Sequence, residues 1–249
     1  MNGFYERKYE VNTYNCDRNF KLKVSDLVEF LQDIAHWHSE DSGYGYGVLS
    51  KLGYAWILYK WKIRIDKMPL LGTVLTVKTW SSGVDRKQAY RSFRIYDDST
   101  GELVGEAISV WIFMDINIRM LVSIPQEVQQ LYFDTGEMVL DAEFLNNPST
   151  IIREILSSDT YKVRAHDIDY NGHVNNAKYF EFVSDIMPQD YCFEKCELEV
   201  TYKRECLEND CLDIIQFDTE QPDTFVAVIK QMGVEENRKS NVFFKIKKM

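Results

Sequence analysis

The sequence predicts an α+β protein made of two tandem copies of one unit. Three observations carry that prediction. The chain matches itself at a shift of 152 residues, each copy contains one amphipathic helical stripe, and each stripe is followed by runs of strand-forming residues.

The elements follow in order. Tyr9-Glu10-Val11 falls on Tyr161-Lys162-Val163, and Asp17-Arg18-Asn19 falls on Asp169-Tyr170-Asn171. Next come the stripes. Leu27, Phe30, Leu31 and Ile34 are spaced i, i+3, i+4, i+7, and so are Tyr179, Phe182, Val183 and Ile186 at the matching positions. That spacing lines one face of a helix. Glu29 also matches Glu181. Runs rich in Val, Ile, Tyr, Trp and Phe predict strands over residues 55–65, 74–80, 88–96 and 103–114 in the first copy. The second copy has them over 197–204, 211–217, 224–232 and 241–246. Turn signals such as Asp97-Asp98-Ser99-Thr100-Gly101 separate them. The turn Met68-Pro69-Leu70-Leu71-Gly72 stands where the second copy has Glu205-Cys206-Leu207-Glu208-Asn209. Each copy thus reads strand, long helix, then antiparallel strands, with the helix on one face of a sheet. Residues from about 125 to 158 match neither copy well, which predicts domains at 1–135 and 158–249 joined by a linker at 136–157.

Composition narrows the function. Of 249 residues, 45% are hydrophobic and 14% aromatic, as suits a globular chain with a sizeable core. The formal charge of −10 argues against general nucleic-acid binding and means that an acidic partner needs a local basic patch. Arg86, Lys87, Arg91 and Arg94, or Lys245, Lys247 and Lys248, are candidates for one. No apolar run reaches the length of a membrane span. The opening MNGFYERKYEVN has no apolar signal core, which predicts a cytoplasmic protein. The cysteines, Cys16, Cys192, Cys196, Cys206 and Cys211, are odd in number and read as free thiols. Their spacing is not that of a zinc knuckle and no histidine lies near, so no metal or other cofactor is expected. His36 and His38 sit two apart on a predicted helix and point to different sides.

The densest polar stretch runs from Asp167 to Asn176, through Asp169, Asn171 and His173. In an extended segment this alternation puts all three side chains on one face, leading into a helix that starts near Asn175. Such a row suits a site that hydrolyses an acyl bond. The other copy keeps Asp17 and Asn19 but has Lys21 opposite His173. It also holds all five tryptophans, Trp37, Trp56, Trp61, Trp80 and Trp111. Two readings of these are open: a division of labour, with apolar binding in the first copy and chemistry in the second, or tryptophans that simply fill the core.

The stretch from Asp167 to Tyr179 resembles the signature of acyl-ACP thioesterases, and Tyr202-Lys203-Arg204-Glu205-Cys206 resembles the second motif of that family. The tandem layout extends the likeness along nearly the whole chain, and the missing plastid-targeting and anchoring segments make it similar to bacterial members. The resemblance implies a double hotdog fold, each half a sheet wrapped around a helix. It implies hydrolysis of fatty acyl-ACP to free fatty acid, with the acylated carrier protein and its acyl chain as partners. It places Asp169, Asn171, His173 and Glu205 at the site. Gly172 stands where plant members commonly have Gln; because its side chain would alternate away from the polar row, little catalytic consequence is expected.

Thioester hydrolysis needs a nucleophile, a stabilised oxyanion and a proton for a thiolate that leaves easily. Glu205 suits a general base acting on water, His173 can orient that water or support the base, and Asn171 offers an amide donor to the oxyanion. Asp169 would hold Asn171 or His173. The competing route makes Cys206 the nucleophile, activated by His173; a carboxylate beside the thiol would raise its pKa and weaken it, which favours water. An acyl-CoA thioesterase, a non-catalytic acyl-binding protein and a dehydratase on the same fold are the alternatives. Chain-length preference is not legible, and monomer and homodimer are both open.

Overall fold

A computed structural model of the chain describes residues 3–131, 136–188, 193–233 and 240–249. The chain divides into two units, Met1–Glu143 and Phe144–Met249. In the first, β1 (Tyr5–Glu10) leads to helix α1 (Val24–Asp41), a short helix α2 (Tyr46–Leu49), and strands β2 (Tyr54–Ile65), β3 (Val74–Asp85), β4 (Gln88–Asp97) and β5 (Leu103–Asp115). The two-residue strand β6 (Met120–Leu121) and helix α3 (Gln126–Leu131) follow. The second unit holds β7 (Ile155–Lys162), helix α4 (Lys178–Ile186), β8 (Cys196–Tyr202), β9 (Cys211–Phe217), β10 (Thr224–Gln231) and β11 (Val242–Lys248).

Both units order their strands alike. The first is β1-β3-β4-β5-β2, with β6 added on β5, and the second is β7-β9-β10-β11-β8. The pairings within each are antiparallel. The architecture is α+β, with a few helices against large antiparallel sheets.

The helical stripes do the packing expected of them. Leu27, Leu31 and Ile34 of α1 are buried, and Phe30 stacks on Tyr9 of β1 with centroids 4.7 Å apart. In α4, Tyr179, Phe182 and Val183 are buried, and Phe182 meets Tyr161 of β7 at 4.3 Å. Each fully buried aliphatic or aromatic side chain of this kind contributes roughly 1.5–3 kcal/mol. The two helices differ in length, however. α1 has 18 residues and closes on Gly43, whose φ of 82° suits the left-handed position after a helix. α4 has nine, so the expectation of a long helix in each copy holds only for the first. The cause is in the sequence: Pro188 pushes Met187 out of the helical region, to ψ 142°.

The stretch predicted as linker is mostly tied down. Glu137 accepts a bond from the Trp80 indole through its backbone (2.8 Å) and from Arg94 through its side chain (2.6 Å). Lys62 donates to the Asp141 carboxylate and to the Glu143 carbonyl, both at 2.6 Å. Leu145 N–H donates to Glu199 (3.0 Å), and Ile151 packs among Val226, Val228 and Phe243. Residues 136–143 therefore belong with the first unit, and β7 begins at Ile155, inside the predicted linker.

Trp61 and Trp80 are buried in the first unit, and Trp56 packs on Phe113, so these three fill core space. Trp37 is 41% exposed under the Arg7 guanidinium. Cys192 lies outside the described residues.

Candidate active site

The segment around His173 is a closed loop and not the extended row expected of it. Ile168 and Val174 form an antiparallel bridge, Asp169 N–H donates to the His173 carbonyl (2.8 Å), and Gly172 N–H returns to the Asp169 carbonyl (3.0 Å). One oxygen of Asp169 accepts the backbone N–H groups of Asn171 (2.8 Å) and His173 (3.3 Å). Its other oxygen accepts the Asn171 side-chain amide at 3.3 Å. An Asp that bonds its own backbone two residues on makes a turn of this kind, which leaves no trace in the alternation of side chains. Gly172 matters for a different reason than the one expected: its φ is 82°, a region L side chains rarely adopt.

The loop aims His173 at the β8–β9 connection. His173 Nε2 lies 3.1 Å from Glu205 Oε2, both side chains partly exposed. Of the predicted residues, the fold thus joins Asp169 to Asn171, and His173 to Glu205. Cys206 is set apart by burial. It is fully buried, Asn241 Nδ2 donates to its sulfur at 3.3 Å, and the Tyr179 hydroxyl comes close to the same sulfur. Burial pushes the thiol pKa up to about 11. The sequence marks Tyr179 only as part of an apolar stripe and Asn241 only as the start of a strand; neither lies near Cys206 in the chain.

The helix does not start near Asn175. It starts at Lys178, and the Asn175 side chain caps the preceding turn by accepting the Ala177 N–H at 2.9 Å. Asp167 serves the segment before the loop. It closes a short turn at Ala165–Asp167, accepting Arg164 N–H (2.8 Å) and the Tyr161 hydroxyl (3.0 Å). On the far side of the loop, Tyr202 donates its hydroxyl to the Asn176 carbonyl at 3.0 Å.

Some members of the candidate basic clusters are held in internal pairs. Arg91 is buried against His38 at 2.7 Å, where burial and the guanidinium push the imidazole pKa down to about 3. Arg94 pairs with Glu106 and Glu137, and Lys245 with Glu199. Arg86 and Lys87 remain exposed at the β3–β4 turn.

Fold and site together define an α+β protein with a duplicated unit and, in its second copy, a His–carboxylate pair formed between a hydrogen-bonded loop and the β8–β9 connection. Residues 2–132 match the acyl-ACP thioesterase N-terminal domain and residues 153–245 the acyl-ACP thioesterase C-terminal domain, so the chain belongs to the acyl-ACP thioesterase family. Among similar proteins is the chloroplastic oleoyl-acyl carrier protein thioesterase 2 of Arabidopsis thaliana, 30% identical over 243 residues, covering 90% of this chain and 66% of that protein. Thioesterase 1 of the same plant is 29% identical over 234 residues, covering 87% and 64%. The chain therefore spans slightly less than two thirds of the length of these relatives. An acyl-ACP thioesterase structure from Bacteroides thetaiotaomicron shares the fold, with TM-score 0.84, 24% identity, and 98% and 97% of the two chains covered. The 12:0-ACP thioesterase of Umbellularia californica shares it at TM-score 0.81 and 20% identity, with 99% and 97% covered.

Proposed function

We propose that the protein hydrolyses the thioester of fatty acyl-ACP and releases free fatty acid. The observation that carries this reading is the 3.1 Å contact between His173 and Glu205 beside a loop braced by Asp169. Glu205 takes a proton from water as the water attacks the thioester carbon. His173 orients the carboxylate and passes the proton on toward the leaving thiolate. Asn171 commits one amide hydrogen to Asp169 and keeps the other for the oxyanion. Water is the nucleophile in preference to Cys206, since a buried thiol held at a raised pKa supplies little thiolate near neutrality.

The same proposal takes each copy as one hotdog half, supported by the shared strand order, with acyl-chain binding in the first and chemistry in the second. It takes the acylated carrier protein as partner, supported by the family match, and a cytoplasmic setting in which thiols stay reduced.

The test is release of free fatty acid and free thiol from matched acyl-ACP and acyl-CoA. Turnover of acyl-ACP, at least about a hundredfold lower in Glu205→Gln and lowered far less, by about tenfold, in Cys206→Ala, is the expected result. Preference for acyl-CoA would replace the substrate, binding without turnover would make the protein an acyl carrier, and a dead Cys206→Ala enzyme with intact fold would make the thiol the nucleophile.

A further inference from the structure

The two copies share the backbone hydrogen bonds around their loops, and that makes the first a control for the second. Leu22 N–H donates to the Pro69 carbonyl at 2.8 Å where Val174 N–H donates to the Cys206 carbonyl at 2.9 Å. Gly72 N–H bonds the Val11 carbonyl (2.9 Å) where Asn209 N–H bonds that of Val163 (3.0 Å). Pro69 thus corresponds to Cys206, and Met68 to Glu205. The strand registers supply a further pair. Ile65 faces Gly105 where Tyr202 faces Val242, so Val104 corresponds to Asn241. The backbone agrees: the Val104 carbonyl accepts Asp66 and Lys67 N–H at 3.0 and 3.2 Å, and that of Asn241 accepts Lys203 and Arg204 N–H at 2.7 and 3.3 Å. Finally, Leu27 of α1 corresponds to Tyr179 of α4 by the shift of 152 residues.

So behind one loop the first copy buries Leu27, Pro69 and Val104, all apolar, and behind its twin the second buries Tyr179, Cys206 and Asn241. The same backbone closes without polar side chains. The polar trio is therefore not needed to form the turn, and burying an amide and a phenol is costly unless each finds partners. They do find them. Asn241 Oδ1 accepts Gln231 N–H (2.9 Å), while its Nδ2 reaches Cys206 Sγ (3.3 Å) and the Glu205 carbonyl (3.5 Å). The Tyr179 hydroxyl approaches the sulfur from the helix side.

We infer that Asn241, acting with Tyr179 through the Cys206 sulfur, is a positioning residue that fixes the Glu205 backbone so that the carboxylate stays on His173. This inference rests on the reading of Glu205 as the general base. It gives Cys206 a use that needs no thiolate: the sulfur is a buried junction between a strand and a helix. It also explains why the polar trio occurs in the copy that has His173 and Glu205, and apolar residues occur in the copy that has Lys21 and Met68.

The experiment borrows the first copy's residue. Asn241→Val keeps the backbone bonds that Val104 already makes, and kcat on acyl-ACP is expected to fall about tenfold or more with KM little changed, because small misplacements of a reacting group are costly. In a Glu205→Gln background the same substitution is expected to change the residual rate less than twofold. Tyr179→Phe, which removes only the hydroxyl, is expected to lower kcat in the same direction, and it decides the matter if Asn241→Val does not fold. Wild-type kcat in both variants, or an undiminished loss in the Glu205→Gln background, overturns the inference. Full activity of Glu205→Gln itself overturns the base assignment instead, so the two failures are distinguishable.

Discussion

The loop at Asp17–Lys21 and the loop at Asp169–His173 are one structure with two chemistries. Asp17 accepts the N–H groups of Asn19 and Lys21 at 2.8 and 3.0 Å, as Asp169 accepts those of Asn171 and His173 at 2.8 and 3.3 Å. The Asp17 N–H reaches the Lys21 carbonyl at 2.8 Å, the same length as its twin. A short turn precedes each, at Thr13–Asn15 and Ala165–Asp167. The Asp of the family signature is therefore explained first as the builder of a loop, since it makes the same bonds where no histidine follows. What distinguishes the second copy is what stands on the loop and against it: His173 for Lys21, and Glu205 for Met68.

The largest expected effects come from erasing that difference. His173→Lys gives the second loop the side chain of the first, and its turnover of acyl-ACP is expected to fall by about 10²–10⁴, the range of acid–base contributions. The reciprocal change, Lys21→His, is expected to give no second site, because Met68 offers no carboxylate; single-turnover kinetics on acyl-ACP check both. A gain of activity in the Lys21→His protein would break the comparison.

Packing comes next. Leu31 of α1 and Val183 of α4 are equivalent and both fully buried. Leu31→Ala is expected to cost about 2–5 kcal/mol in urea unfolding, and Val183→Ala less, because fewer atoms leave the core. Equal costs would mean that the shorter helix is packed more tightly than its length suggests.

The smallest effect is in the backbone. Phe20 and Gly172 occupy the same loop position, with φ of 60° and 82°. Phe20 is exposed and gains little from its ring, so Phe20→Gly is expected to stabilise the protein by about 0.5–1 kcal/mol, and Gly172→Ala to destabilise it by a similar amount. Thermal melts of the two variants should move in opposite directions.

Much of this was legible in the sequence. The shift of 152 residues predicted which positions of the loops and helices would be equivalent, and the stripe from Leu27 to Ile34 marked the buried face of α1, because burial imposes the helical period on apolar residues. The pairing of His173 with Glu205 came from motif resemblance, and nothing local in either segment specifies it. The closed shape of the loop was not legible by alternation, since an Asp that bonds its own backbone overrides the strand period. The early end of α4 was legible in principle from Pro188. Asn241 was hidden for a topological reason: its contact with Cys206 depends on the register of β8 against β11, which pattern alone does not fix. Once the repeat is aligned through its backbone bonds, the exchange of Val104 for Asn241 is the signal that finds it.

The shared strand order has a consequence for ancestry and stoichiometry. In a twofold homodimer of single units every substitution appears twice, so both loops must change together. Joining two units in one chain removes that constraint. One loop can lose its imidazole and its opposing carboxylate while the other keeps both. A chain built this way is expected to carry one reactive centre per polypeptide, countable by active-site titration, where a symmetric pair of units would carry two.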